Sequence, residues 1–159
     1  MAGYANIALV GGGLVAAENQ ERATLEERAI PTAMIARLIA ALIAVESAGD
    51  DFAVGDNGAA FGCLQIHQIM VDDVNRIAGT SFIHEDAFAK TKAVKMCEIY
   101  LTHYATPRRV GGMQWEEAAA RMWNGGPRGH WRASTLSYWE RVKVQLERNE
   151  QNEINSTIR

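Results

Sequence analysis

Cysteine is nearly absent: 159 residues carry only Cys63 and Cys97. Two thiols are too few for a disulfide framework, and neither stands at metal-type spacing from His67, His84, His103 or His130. The sequence leaves open whether they are two buried thiols or one bridge, so cysteine does not identify a compartment. Long hydrophobic runs are missing too. The most apolar stretch, residues 30–45, is shorter than the roughly 20 residues of a membrane span and contains Arg37, so stable membrane insertion is not expected. No basic or aromatic cluster argues for nucleic acid. Proline is scarce, and neither proline nor glycine falls between Pro31 and Gly49.

What is present fits one domain. The chain is 48% hydrophobic, enough for one well-buried core and too short for two comfortable domains. Its net charge of −3 is unevenly spread: residues 1–87 hold 4 Lys and Arg against 12 Asp and Glu, and residues 88–159 hold 12 against 7. A basic C-terminal half suits an anionic polymer, although sign-mixed solubility accounts for the same split. Residues 7–10 and 14–17 make a weak apolar segment with Val15 and Ala17 at small-residue cleavage positions. No Lys or Arg precedes it and Gly11-Gly12-Gly13 interrupts it, so the match to an export signal is poor. Residues 1–29 are expected to be a leader or N-terminal extension, with residues 21–29 helix-prone. Residues 30–148 are expected to be the domain and 149–159 a polar tail.

Pro31 suits the first turn of a helix and Gly49 its stop. On that helix Ile35, Ile39, Leu42 and Glu46 step by four, three and four, so they share one face. A carboxyl group is thereby driven onto a core-facing stripe where the chain breaks into a loop. Desolvation disfavours its charged form and raises its pKa, which suits a general acid near neutral pH. The loop carries Gly49, Gly55, Gly58 and Gly62 with Asp50, Asp51 and Asp56, and Gly55-Asp56-Asn57-Gly58 is a turn signal for a short hairpin. Helical periodicity resumes at 69–77 and 86–104, breaks at 107–112, and returns at 114–123, where Asn124-Gly125-Gly126-Pro127 stops it. A last amphipathic helix is expected over 137–148. The fold class is mainly α with a small β or loop insertion.

Three motifs stand in order: Glu46-Ser47; Gly62-Cys63-Leu64-Gln65-Ile66; and Trp123-Asn124-Gly125-Gly126, followed by Tyr138 with Val142 four residues on. Gly62 permits close backbone approach, and the Gln65 amide both donates and accepts. Together they resemble the lysozyme-like superfamily, specifically the soluble lytic transglycosylase domain and its goose-type lysozyme relatives, over residues 30–144. The resemblance implies a bilobal, mostly helical fold whose groove binds the GlcNAc–MurNAc strand of peptidoglycan and cleaves the β-1,4 bond after MurNAc. It implies Glu46 as the acid, with Ser47, Gln65, Ile66, Trp123, Asn124 and Tyr138 supporting it or contacting sugar. No metal or organic cofactor is implied, and a monomer is expected.

In a lytic transglycosylase the same Glu then acts as base and the sugar's C6 hydroxyl closes a 1,6-anhydro ring. A hydrolase usually needs a second carboxylate, about 6.5–9.5 Å away in an inverting enzyme. Asp56 is the candidate, because Gly55-Asp56-x-Gly58 resembles the goose-type loop that carries an acid there. The other goose-type Asp, two residues after the Gln, is His67 here, which favours the transglycosylase. The family's usual Tyr before the Asn is Trp123. The alternatives are a muramidase using Glu46 and Asp56, and a non-catalytic glycan-binding or structural module. The resemblance places the chain outside the cytoplasm or in a phage.

Overall fold

A computed structural model describes residues 30–157. The leader expected over residues 1–29 lies outside the described residues, as do residues 158 and 159. Helix α1, Thr32–Ser47, starts just after Pro31, whose fixed φ of −57° precedes the first turn. It ends at Ala48, which takes the left-handed conformation one residue before the expected stop and donates its N–H to the Ala44 carbonyl at 3.2 Å. Leu38, Ile39, Ala41, Leu42 and Ile43 are buried, so the stripe that ends in Glu46 faces the core as its spacing predicts.

The glycine loop is a three-stranded antiparallel sheet of two-residue strands: β1 (Val54–Gly55), β2 (Ala60–Phe61) and β3 (Ile66–His67). The hairpin expected at residues 55–58 is present, with a third strand added. Gly55 pairs with Ala60 and Ala60 with His67, so these three lie in one row across the sheet. Residue 56 therefore follows directly on the strand end whose row contains His67.

Helix α2 is Gln68–Ala78, and a 3-10 turn at His84–Phe88 leads into α3, Lys90–Tyr104. The periodicity at 86–104 overran into that turn, where the Ile83 N–H is taken up by the Asp86 carboxylate at 3.1 Å rather than by a helical carbonyl. Pro107–Val110 forms a single turn, α4, inside the expected break, with Thr106 as its cap. Helix α5 is Trp115–Gly125, and α6 is Leu136–Thr157. The expected polar tail beyond residue 148 is helical through Thr157. It carries no apolar face, but it extends a helix already nucleated by the buried Tyr138, Trp139, Val142 and Leu146, and propagation costs less than initiation.

The class is mainly α with a small antiparallel sheet. Helices α1, α3, α5 and α6 pack around one core that includes Leu42, Met96, Leu101, Met122 and Val142. Cys63 and Cys97 are both buried free thiols within it. At Gly62 the φ is +73°, and a Cβ would lie 1.9 Å from the Ala87 carbonyl oxygen, so the close approach expected there is made against the turn before α3.

Candidate active site

Glu46 sits on the last turn of α1, and two helices distant in sequence converge on it. The Tyr138 hydroxyl of α6 donates to Glu46 Oε1 at 2.6 Å, and the Trp123 indole N–H of α5 donates to the same oxygen at 3.2 Å. Tyr138 and Trp123 are themselves buried. Burial raises the Glu46 pKa above the ordinary carboxyl value; the donors Tyr138 and Trp123 and the charge of Arg141 oppose the rise, and Asp56 adds to it. Desolvation wins. Tyr138 is pushed far up, by burial first and then by the neighbouring carboxylate, so its hydroxyl stays a donor. Arg141, one turn along α6, lies over the Tyr138 ring at 5.3 Å.

Among the described residues no hydrogen bond reaches Glu46 Oε2, while Oε1 accepts two. A carboxylic acid so arranged carries its proton on Oε2 and uses Oε1 as the acceptor. Glu46 lines a polar cavity of about 320 Å³ with Gly55, Asp56, Gln65, His67, Met70, Trp123 and Asn124. That cavity adjoins a more apolar one of about 450 Å³, which shares His67, Met70, Trp123 and Asn124 and extends to Tyr100, Tyr104 and Pro127. The two make one groove. A separate cavity of about 600 Å³ between α1, α2 and α3 contains none of these groups.

Asp56 is held over the sheet by the turn. Asp56 and Asn57 both take positive φ, +47° and +56°, a conformation Asp and Asn tolerate better than most residues. The turn is closed by the Ala59 N–H, which bonds the Gly55 and Asp56 carbonyls at 3.1 and 3.2 Å. Asp56 Oδ2 meets His67 Nε2 at 2.8 Å. Strained residues held by their surroundings cluster at functional sites, and this turn forms one wall of the groove.

The remaining expected residues divide between groove and frame. Asn124 is exposed and lines both cavities. Gln65 lines the polar cavity, but its amide N–H₂ is spent on the carbonyls of Gly62 at 2.9 Å and Ala53 at 3.3 Å, which brace the loop. A Cβ at Gly55 would sit 2.0 Å from Gln65 Oε1, so glycine there is what lets the amide lie flat under β1. The Ser47 hydroxyl donates to the Cys63 carbonyl at 3.0 Å and accepts from the Gly49 N–H at 3.2 Å, pinning the loop to the end of α1. Ile66 is fully buried: its side chain belongs to the core, and its carbonyl meets His84 Nε2 at 2.7 Å. A strand alternates faces, so the groove position is its neighbour His67.

Two further contributors were given no role of their own from the sequence, although Arg121 opens the motif Arg121-Met122-Trp123-Asn124. His67 registered only as a departure from a motif. Arg121, buried on α5, bonds Glu117, Thr135 and the Arg132 carbonyl, and so ties the turn that carries Trp123 and Asn124 to the segment before α6. A buried Arg beside a helix-terminal aromatic would have been its only signal. Among the described residues no group of three or more His, Cys, Asp or Glu is placed to hold a metal ion, and no helix is long and apolar enough to cross a membrane.

No family model matches the chain, and no curated protein matches it. Among solved structures the fold is similar to a chain in the crystal structure of Aeromonas hydrophila PliI in complex with Meretrix lusoria lysozyme. The identity is 28% and the TM-score 0.57, covering 68% of this chain and 87% of that chain.

Proposed function

We propose that the protein cleaves the β-1,4 bond after MurNAc in peptidoglycan, with Glu46 as general acid. The observation that carries this is the carboxyl itself. It is desolvated, kept above the ordinary carboxyl range, fixed at one oxygen by Tyr138 and Trp123, and left with its other oxygen at a groove. A carboxylic acid with these properties protonates a glycosidic oxygen as the C1–O4 bond breaks. The exposed Asn124 and the apolar wall formed by Met70, Tyr100 and Tyr104 suit the amide and C–H faces of N-acetyl sugars. The match to a chain from the complex of PliI with a lysozyme bears on the fold; the chemistry rests on the carboxyl.

Lytic transglycosylation is the first product chemistry. Once Glu46 has given up its proton, its carboxylate takes the proton of the sugar's C6 hydroxyl while that oxygen bonds C1. No second protein carboxylate is needed. Hydrolysis is the second, favoured by one observation: Asp56 lines the same cavity as Glu46. The partner is the glycan strand, which places the protein outside the cytoplasm or in a phage particle.

Mass spectrometry of digested cell wall is the test. Muropeptides one water lighter than the reducing products support transglycosylation; reducing ends alone support hydrolysis. Glu46→Gln is expected to lower turnover by about 100-fold or more. If Glu46→Gln clears wall as fast as the wild type, Glu46 is not the acid; if the folded wild type binds wall without clearing it, the protein is a non-catalytic glycan-binding module instead.

A further inference from the structure

His67 is a substitution with a built environment. Its ring is tied by Nε2 to Asp56 Oδ2 at 2.8 Å, its position is fixed by the row Gly55–Ala60–His67 of the sheet, and it borders the cavity that holds Glu46. A neutral imidazole whose Nε2–H donates to a carboxylate carries its lone pair on Nδ1. Among the described residues no hydrogen bond occupies that atom, and the side chain, 43% exposed, lines the cavity. A carboxylate orienting a histidine so that the ring's other nitrogen accepts a proton is a general-base arrangement.

The geometry points to His67 as a water-activating base, positioned by Asp56, whose presence sets how the enzyme divides its product between hydrolysis and anhydro-ring closure. The inference rests on Glu46 being the glycan-cleaving acid. In the hydrolytic branch Glu46 Oε2 gives its proton to the leaving O4 as C1–O4 breaks. A water oxygen bonds C1, and the water's proton passes to His67 Nδ1. His67 then returns that proton to solvent and Glu46 is reprotonated, so the balance is one water consumed per bond. In the other branch the C6 oxygen bonds C1 and its proton goes to the Glu46 carboxylate. Without the His67 Nδ1 lone pair the attacking water has lost its base, and the ring-closing branch is favoured.

The charged and titratable groups around His67 are Asp56 on the turn, Glu46 on α1, Asp73 with Arg76 on α2, His84 on the turn before α3, and Tyr100 and Tyr104 on α3. Burial alone raises Asp73, but the Tyr104 hydroxyl at 2.7 Å and Arg76 outweigh it and hold that carboxyl below its ordinary range. Asp73 is thus a fixed negative charge beside the groove. Tyr100, pushed up by burial, and Tyr104, pushed up by burial and Asp73, stay neutral.

The test is the ratio of reducing to 1,6-anhydro muropeptide ends released by the intact protein at one neutral pH, for wild type, His67→Asn and Asp56→Asn. The wild type is expected to release both kinds of end. His67→Asn is expected to lower the ratio of reducing to anhydro ends by about tenfold or more. Asp56→Asn, whose amide oxygen still accepts from Nε2–H, is expected to lower that ratio less than His67→Asn does. Three results overturn the inference while leaving the glycan cleavage standing: a wild type that releases anhydro ends alone, His67→Asn with an unchanged ratio, or Asp56→Asn losing the reducing ends while His67→Asn does not. The last makes Asp56 itself the base. A folded wild type that releases neither product at any pH overturns the glycosidase proposal, and this inference with it.

Discussion

Glu46 and Asp56 are two carboxyls on one cavity with opposite surroundings. Glu46 is desolvated and bonded at a single oxygen; Asp56 has a side chain 69% exposed and paired to a histidine. Holding Glu46 costs the fold something. Its folded pKa lies above the unfolded value, so the folded state binds the proton more tightly, and ionisation in the folded state is penalised as pH rises through the folded pKa. Below the unfolded value the carboxyl is protonated in both states and the penalty is gone. Glu46→Gln is therefore expected to melt above the wild type at pH 7 to 8, with the difference shrinking towards pH 4. A gap independent of pH in thermal unfolding would contradict a desolvated acid. The position of Glu46 was legible because a stripe of Ile35, Ile39 and Leu42 has a period. The donors were not derivable that way: Tyr138 and Trp123 lie 92 and 77 residues from Glu46, and nothing local marks that they meet at one oxygen. Ile66 and His67 show the remaining difficulty, since a two-residue strand is too short for its alternation to be read.

At the scale of elements, the wall opposite α1 depends on a few tight backbone contacts rather than on strand length. Each strand has two residues, far below the length that is stable alone. The sheet is fixed instead by the Gln65 amide, by Ser47 bonding Cys63, and by Gly62 lying against Ala87. Gly62→Ala places a Cβ in the Ala87 carbonyl and strains a positive φ, and is expected to destabilise the protein by about 2–4 kcal/mol in denaturant unfolding. Gly49→Ala is the control: its φ is also positive, +90°, but nothing lies within 4 Å of the added methyl, so only the backbone strain of about 1–2 kcal/mol is expected. Equal losses for the two would mean that the Ala87 contact is unimportant. Glycines at 55, 58 and 62 announced a loop from the sequence; which of them touches a carbonyl is a tertiary fact.

At the scale of the molecule, the C-terminal helix has two parts with different duties. Tyr138, Trp139, Val142 and Leu146 pack on the core, whereas residues 150–157 are exposed. Removing the chain from residue 150 onward deletes no buried side chain among the described residues, and is expected to change stability by less than about 1 kcal/mol and leave any wall-clearing rate unchanged. A large loss in thermal unfolding would show that the exposed turns bind something the core needs. The sequence led to the opposite expectation of this segment's structure, a tail rather than a helix, because polarity removes the periodic signal without removing helix propensity.

The carboxyl of α1 acquires its donors from α5 and α6, and the decisive hydroxyl belongs to residue 138. Synthesis runs from the N-terminus, so Glu46 is made early and its hydroxyl donor late. A chain cut short before residue 138 carries the carboxyl without the hydroxyl that fixes it. Under the proposed glycan cleavage, the capacity to break a bond arrives only with α6, and a copy clipped before residue 138 is expected to be inactive.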